Sequence, residues 1–335
     1  WDFLTDRIST IYLPDKKIPM IPYILSDNVC SLKEGEDRVA FVLDVFIDMK
    51  TYEILKVKHN TAIIRVEKNY VYESRELLNL PLYKQLQNTV TKLNDQYKNT
   101  KYLVDDIKNS HDVVEYCMLL MNHECSKMLL GNPRGIFRST TKKESNEIIK
   151  ISNQYPTLNY ILNNISGQYC SLYNLQPHYM VGNGLACYTH ITSPIRRIVD
   201  CVMMLELQQS YFKWSDSAIT FLNKWTTPES IDTINTKTKV IRKLENEIRL
   251  MELYENEVCK KDNNNNTYFG LVFGKTLIEK DTRPMYKYKV YIQTIKFLSY
   301  VITERELADY MMVDISVHQF LDEAKMCKKI RLHLV

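Results

Sequence analysis

An α+β fold is predicted by the way hydrophobic periodicity changes along the 335 residues. Residues 39–47, 52–57 and 61–66 have the apolar and β-branched content of strands, whereas 82–93, 111–130 and 230–258 repeat apolar residues at helical spacing. From residue 267 onward the pattern returns to strands.

Taken in order, Trp1, Phe3 and Leu4 suit the end of a helix, and 9–14 is a short extended piece. Ile18-Pro19-Met20-Ile21-Pro22 is a fixed loop, because each proline restrains its own φ and the residue before it. Turn residues fill 25–38, and the three strands after them form an antiparallel group that ends at Tyr70-Val71-Tyr72-Glu73. The helix over 82–93 carries Leu82, Leu86, Val90 and Leu93 as its apolar stripe. Over 111–130 the helix is apolar nearly all round, so it is expected to be buried, and Glu115 on it needs a partner. His123-Glu124 is not a zinc-protease helix, since Lys127 stands where the second histidine is required.

Gly131 to Arg138 reads as a turn and short exit, 142–165 as further helix, and Gly182-Asn183-Gly184 as a loop. The helix over 230–258 is long and charged, with Ile234, Val240, Leu244, Ile248 and Met251 as its stripe. Lys260-Lys261-Asp262 and the four asparagines that follow are a polar linker, which places a boundary between domains 1–262 and 263–335. Strands over 268–272, 286–292, 297–302 and 330–335 suit a small barrel, with Gly270 at a bend.

Composition narrows the function classes. Hydrophobic residues make up 45% of the chain, enough for one large domain and a small one. The net charge of +4, from 44 basic and 40 acidic residues, is too balanced to indicate a nucleic-acid partner by itself, so any basic surface is local. Eight cysteines without a Cys-x-x-Cys pair fit neither a disulfide framework nor a zinc ribbon and favour a reducing compartment. No apolar run reaches membrane-span length and no charged-then-apolar leader opens the chain, so a soluble cytoplasmic protein is expected. Trp1 in place of methionine suggests numbering from inside a longer protein.

Residues 188–200 concentrate the chemistry. Ser193 and Pro194 read as an N-cap followed by proline at the first helical position, and Ile195, Ile198, Val199 and Val202 recur at helical spacing. A helix is therefore expected from Ser193 to about Tyr211. Its N-terminus, with Arg196 and Arg197 one turn in, suits a phosphate. The two arginines are adjacent, so one of them points into a site. The bland alternative is a capped helix with two solvated arginines.

This stretch closely resembles the signature of the ribonuclease II family, the RNB exoribonucleases, whose pattern runs aromatic-x-His-aromatic-Thr-Ser-Pro-Ile-Arg-Arg-Tyr-x-Asp. The departures are Ile198 for the tyrosine and Met204-Leu205 for a His-Arg pair one turn past Asp200. Further likeness lies in Tyr12-x-Pro14, Pro19-Met20-Ile21-Pro22, Leu25-Ser26 with Cys30-Ser31-Leu32, and Asp37-Arg38. Glu115 and Asn122 match the family's Glu-Glu-Phe-Met-Leu-Leu-Ala-Asn, with Tyr116 in place of its second glutamate. Phe137-Arg138 resembles its Tyr-Arg, with Thr140 where a histidine is usual, and His178-Tyr179 resembles a His-aromatic pair at altered spacing. Between 94 and 110 the chain is shorter than its relatives, so a substrate-facing hairpin is expected to be missing.

The resemblance implies an RNB catalytic domain of antiparallel strands and helices, lacking its N-terminal part. An OB-like barrel follows it, trimmed or degenerate because the chain stops where a last strand is expected. It implies hydrolysis of single-stranded RNA from the 3' end to nucleoside 5'-monophosphates with magnesium. The magnesium ligands would be an aspartate cluster upstream of Trp1, since Asp105-Asp106 is an isolated pair. Arg196 matches the catalytic arginine, with Arg197 beside it; Tyr12 matches an aromatic that stacks on the last bases, and Tyr72 a tyrosine that shapes ribose selection. Glu245 falls where a glutamate reads the 2'-hydroxyl. Glu115 orders the site by pairing with a basic group, His190, Thr192 and Ser193 shape the helix start, and these residues with Tyr188 are expected on the substrate-binding side. The rival implication is an RNA-binding subunit of an RNA-processing complex whose catalysis has decayed.

Overall fold

The structure, a computed structural model, describes residues 2–4, 6–97, 106–140, 158, 167–178, 185–259, 267–278, 284–322 and 326–335. Two compact units divide them. The first holds the described residues up to Thr238 other than 13–15 and 158; the second holds those and the chain from Lys239.

In the first unit, β1 (Ile11–Tyr12) pairs antiparallel with β2 (Lys17–Ile18), and β3 (Asp37–Ile47) with β4 (Ile54–Arg65). The β3–β4 turn is set by Asp48, whose Oδ1 accepts the backbone N–H groups of Lys50 at 2.7 Å and Thr51 at 3.2 Å. Tyr52 completes it in the left-handed region at φ 57°. The two strands expected over 52–57 and 61–66 are one. Lys58, His59 and Asn60 hold register opposite Asp44, Leu43 and Val42, so their polarity marks strand alternation and no turn.

After α1 (Arg75–Asn79), α2 (Pro81–Tyr97) packs on α3 (Ser110–Leu129). The stripe of α2 differs from the expected one. Leu82 is 70% exposed and Leu86 is exposed too, while Tyr83, Val90 and Leu93 are buried against Val113, Tyr116 and Leu120 of α3. Asn109 and Asp112 close a capping box at the start of α3. Glu115 is only partly buried, against expectation, and Tyr116 takes the fully buried position. The buried carboxylate of this helix is Glu124, which pairs with Lys127.

The expected exit over 131–138 instead ends in a strand: β5 (Ile136–Thr140) pairs antiparallel with β6 (Gly167–Ser171). α4 (Ile198–Gln208) is followed by α5 (Asp216–Trp225), capped by Ser215 and buried through Phe221, Leu222 and Trp225. α6 (Pro228–Cys259) begins in the first unit and ends in the second. Among its described side chains Ile231, Ile234 and Leu250 are buried, whereas Val240, Leu244 and Met251 of the expected stripe are exposed.

The second unit is a closed five-stranded barrel in the order β10-β11-β9-β8-β7, OB-like in architecture. Its strands are β7 (Tyr268–Ile278), β8 (Met285–Ile292), β9 (Phe297–Thr303), β10 (Met312–Asp322) and β11 (Cys327–Leu334). The barrel is neither trimmed nor degenerate. β10 supplies the strand that the sequence reading lacked, and it closes the ring by pairing with β7 on one side and β11 on the other. A Cβ on Gly270 would lie 2.6 Å from Val290 Cγ1 and 3.0 Å from Ile315 Cγ1, so glycine lets the barrel wall close there. The segments 142–157, 159–165 and 260–266, Asp105, and Gly182-Asn183-Gly184 lie outside the described residues, as does the expected 262/263 boundary.

Candidate functional site

Two distant stretches of the first unit are laced together by main-chain hydrogen bonds. Ile198 donates its N–H to Ile8 O at 2.8 Å, Thr10 donates to Arg196 O at 3.0 Å, and the Ser9 hydroxyl donates to the same oxygen at 3.0 Å. Thr10 is buried, and its Oγ1 accepts the N–H of Met20 at 3.0 Å, which ties the proline-bounded loop to the same place. The result is a concavity of about 300 Å³ lined by Tyr12, Lys17, Asp27, Thr192, Ser193 and Arg196, among others.

Local chemistry sets the turn that carries Arg196. Ser193 O accepts the N–H groups of Arg196 and Arg197, each at 3.1 Å, while Asp200 Oδ1 accepts the Ser193 N–H at 2.8 Å and Arg197 Nη2 at 2.7 Å. Arg197 has extended dihedrals, φ −137° and ψ 129°, because it pairs in a β-bridge with Ser9. The helix expected from Ser193 therefore starts at Ile198, and both arginines precede it. The arginines therefore sit on the turn before the helix and not one turn inside its N-terminus, as the sequence reading expects.

The arginines have different surroundings. Arg197 forms an ion pair with the fully buried Asp200. Burial pushes the Asp200 carboxyl above its ordinary value, with Arg197 pulling the other way, and that carboxylate raises the pKa of the partly buried guanidinium. Arg196 is exposed and has no hydrogen bond or ion pair through its guanidinium among the described residues. Tyr12 is 51% exposed beside it. Lys17 and Asp27 pair at 2.6 Å, which lowers the carboxyl and raises the ammonium from their ordinary values.

The first half of the signature is interior. Tyr188 is 3% exposed; its hydroxyl accepts Asn122 Nδ2 at 2.9 Å, and Asn122 Oδ1 accepts the Ile191 N–H at 3.0 Å. Tyr188 packs over His178, with ring centroids 4.6 Å apart, and burial drives the His178 imidazole down to about 3. His190 Nδ1 meets the Tyr169 hydroxyl at 2.7 Å. Neither Tyr188 nor His190 lines the concavity.

Tyr72 stands elsewhere in the first unit, stacked on His111 with centroids 3.7 Å apart and planes 14° apart. Its neighbour Glu73, at φ 58°, accepts both the N–H and the hydroxyl of Ser110, which holds its carboxyl below the ordinary value. Glu115 does not line the concavity. Glu245 is exposed on the part of α6 that belongs to the second unit. Of the sequence-predicted residues, Tyr12, Thr192, Ser193 and Arg196 come together, with Arg197 directly behind them. Lys17, Asp27 and the support role of Asp200 were not anticipated; the Arg197-to-Asp200 spacing of three was the available signal for the last.

Magnesium needs clustered oxygen ligands. Among the described residues, Asp27 is the one carboxylate that lines the concavity, it is already engaged by Lys17 and Ser26, and no group of three potential ligands occurs. These residues do not fit the ion.

Residues 4–80 match the RNB domain model. Ribonuclease R of Helicobacter pylori (strain J99) is 26% identical over 293 residues, covering 69% of this chain and 44% of its own length. The chain thus spans under half of that relative. Among solved structures, ribonuclease R of Mycoplasma genitalium has a TM-score of 0.65 in its apo form at 17% identity, covering 98% of this chain and 63% of that one. The same enzyme in complex with ribose-methylated single-stranded RNA scores 0.63 at 18% identity, covering 98% and 59%. Yeast Ssd1, described as a pseudonuclease, scores 0.54 at 15% identity, covering 88% and 42%. The RNB match over residues 4–80, the similarity to ribonuclease R over 293 residues and the shared fold make the chain similar to the RNB-domain proteins of the ribonuclease II family.

Proposed function

We propose that this chain is the RNA-holding part of a 3'-5' exoribonuclease that releases nucleoside 5'-monophosphates from single-stranded RNA. One observation carries the reading: Tyr12 and Arg196, an exposed aromatic and an exposed guanidinium, line one concavity, and Thr10, two residues before Tyr12, is bonded to the Arg196 carbonyl. An aromatic ring stacks on any base, and a guanidinium grips two phosphate oxygens at once, so the pair suits a strand end without sequence preference. Arg196 is assigned to the charge that develops on the phosphoryl group, Arg197 to its support and Tyr72 to ribose reading, while the assignment of Glu245 to the 2'-hydroxyl is a separate proposal for the second unit. Thr192 and Ser193 shape the concavity wall, and the partly buried Glu115 is assigned to ordering the site by pairing with a basic group.

Magnesium belongs to the reading as the activator of water, held by carboxylates outside the described residues. The boundary at 262/263, a cytoplasmic location and a place in an RNA-processing complex are part of the same proposal. None of the described helices is long and apolar enough to cross a membrane. The ribonuclease R structures solved with RNA support an RNA partner.

A second reading, an RNA-binding protein whose catalysis has decayed, is favoured by the departures at Ile198 and Met204-Leu205 from the family signature and by the pseudonuclease among the fold neighbours. One experiment separates them. The 335-residue chain should bind single-stranded RNA weakly, with affinity falling as salt rises, and should not degrade it with any divalent ion. The full-length protein should release monophosphates with magnesium; binding without release in that protein establishes the second reading. Metal-dependent cleavage by the 335-residue chain, abolished by Arg196→Ala, would overturn the placement of the metal site.

A further inference from the structure

We propose that Asp200 is a positioning residue that holds Arg196 over the concavity by clamping both ends of the turn 193–197. The inference rests on the role assigned to Arg196 above and deepens it. Asp200 Oδ1 accepts two hydrogen bonds at once, from the Ser193 N–H at 2.8 Å and from Arg197 Nη2 at 2.7 Å. Those donors are the first and last residues of the turn. Arg196 lies between them, its N–H on Ser193 O and its carbonyl on Thr10, so its backbone has no freedom to swing the side chain away.

A helix-capping role does not account for this geometry. Asp200 sits in the first turn of α4, where a carboxylate ordinarily satisfies the free N–H groups of its own helix, yet its Oδ1 reaches back to Ser193. Ile198, at the start of that helix, is served instead by Ile8 O. The carboxylate is fully buried, and its Oδ2 and Arg197 Nε have no partner among the described residues. A buried ion pair left partly unsatisfied is a poor choice for stability alone. Asp200 also neutralises Arg197, which leaves Arg196 as the unneutralised guanidinium facing the concavity.

The test is a double-mutant cycle between Asp200→Ala and Arg196→Ala in the 335-residue chain, read by single-stranded RNA affinity and by thermal melting. Asp200→Ala should weaken RNA binding about tenfold, as expected for loss of one charged contact. In the Arg196→Ala background it should add less than about twofold, because the residue it positions is gone. The fall in melting temperature should be the same in both backgrounds. Asp200→Asn, which keeps an acceptor for the Ser193 N–H, should recover part of the affinity and serves if the alanine variant does not fold. Unaltered affinity in both Asp200 variants, or losses that simply multiply, would overturn the proposal. If the unsubstituted chain binds no RNA, the functional reading fails by itself. The clamp is then decided by amide hydrogen exchange at Arg196 and Arg197, which should accelerate in Asp200→Asn; unchanged protection refutes it.

Discussion

The N–H of Thr10 donates to the carbonyl oxygen of Arg196 at 3.0 Å, and that bond joins the two walls of the concavity. Tyr12 lies two residues beyond Thr10 on one strand, and the Arg196 side chain leaves the turn on the other. Their spacing is fixed by backbone geometry, so side-chain substitutions at either position test chemistry with the scaffold intact.

Arg196→Lys in the full-length protein keeps the charge but loses the planar fork. Turnover should fall by about 10²-fold, the scale of removing one transition-state donor, while RNA affinity falls far less. Single-turnover cleavage and filter binding measure the two; equal losses would assign Arg196 to docking alone.

Tyr12→Ala should weaken single-stranded RNA binding by about 1–3 kcal/mol, the contribution of one stacked base. The ring is 51% exposed, so melting temperature should stay near that of the unsubstituted chain. A large drop in stability with no change in affinity would make Tyr12 an ordinary packing residue.

Asn122→Leu removes the partner of both the Tyr188 hydroxyl and the Ile191 N–H, in a site with no exposure of Asn122. Each group left buried and unpaired should cost about 1–3 kcal/mol, seen as a lower urea midpoint. Tyr188→Phe in the same background should recover part of the loss, because it removes one of the orphaned groups.

The sequence made the α+β class, the strand β3, the helix α3 and the signature legible because each is written in local periodicity or in a dense motif. The start of α4 was not legible. Ser193-Pro194 is a sound local helix opening, but the main chain at Arg196, Arg197 and Ile198 bonds to residues 8–10, and no window around the motif contains those partners. The stripe of α2 failed for a related reason: Tyr83 and Leu82 are both apolar enough to face inward, and the packing of α3 selects Tyr83. β10 is not among the strands expected from sequence, although Val313, Ile315 and Val317 alternate along it. Within the site, Tyr12 and Arg196 are each named by the family likeness, whereas the two hydrogen bonds accepted by Asp200 Oδ1 depend on a turn that local sequence does not announce.

His178 gives a pH test with a defined sign. Its folded-state pKa is pushed down to about 3 by burial, below the ordinary value of 6.5, so below 6.5 the unfolded chain binds a proton that the folded chain does not. Its contribution is therefore fully present above 6.5 and is lost as pH falls from there towards 3, by up to about 1.4 kcal/mol per pH unit. His178→Phe should flatten that part of the stability curve relative to the unsubstituted chain. An unchanged slope between pH 6 and about 4, followed by urea denaturation, would mean that the imidazole is protonated in the folded state.

The barrel offers a test of packing in the second unit. Gly270 pairs with Ile292 on β8 and Val313 on β10, and a Cβ there would lie 2.6 Å from Val290 Cγ1 and 3.0 Å from Ile315 Cγ1. Both contacts are side chains of the barrel core, fully buried, with little room to retreat. Gly270→Ala should therefore destabilise the second unit by about 1–3 kcal/mol, the usual range for overpacking, whatever is gained in strand propensity. Pairing the change with Val290→Ala should restore part of the loss, since the second substitution removes the nearer methyl. Hydrogen exchange localises the effect: protection should fall in β7, β8 and β10 while α2 and α3 of the first unit keep theirs. Equal loss in α2 and α3 would show that the chain unfolds as one cooperative block, and an unaltered barrel would show that the wall at Gly270 is looser than its contacts require.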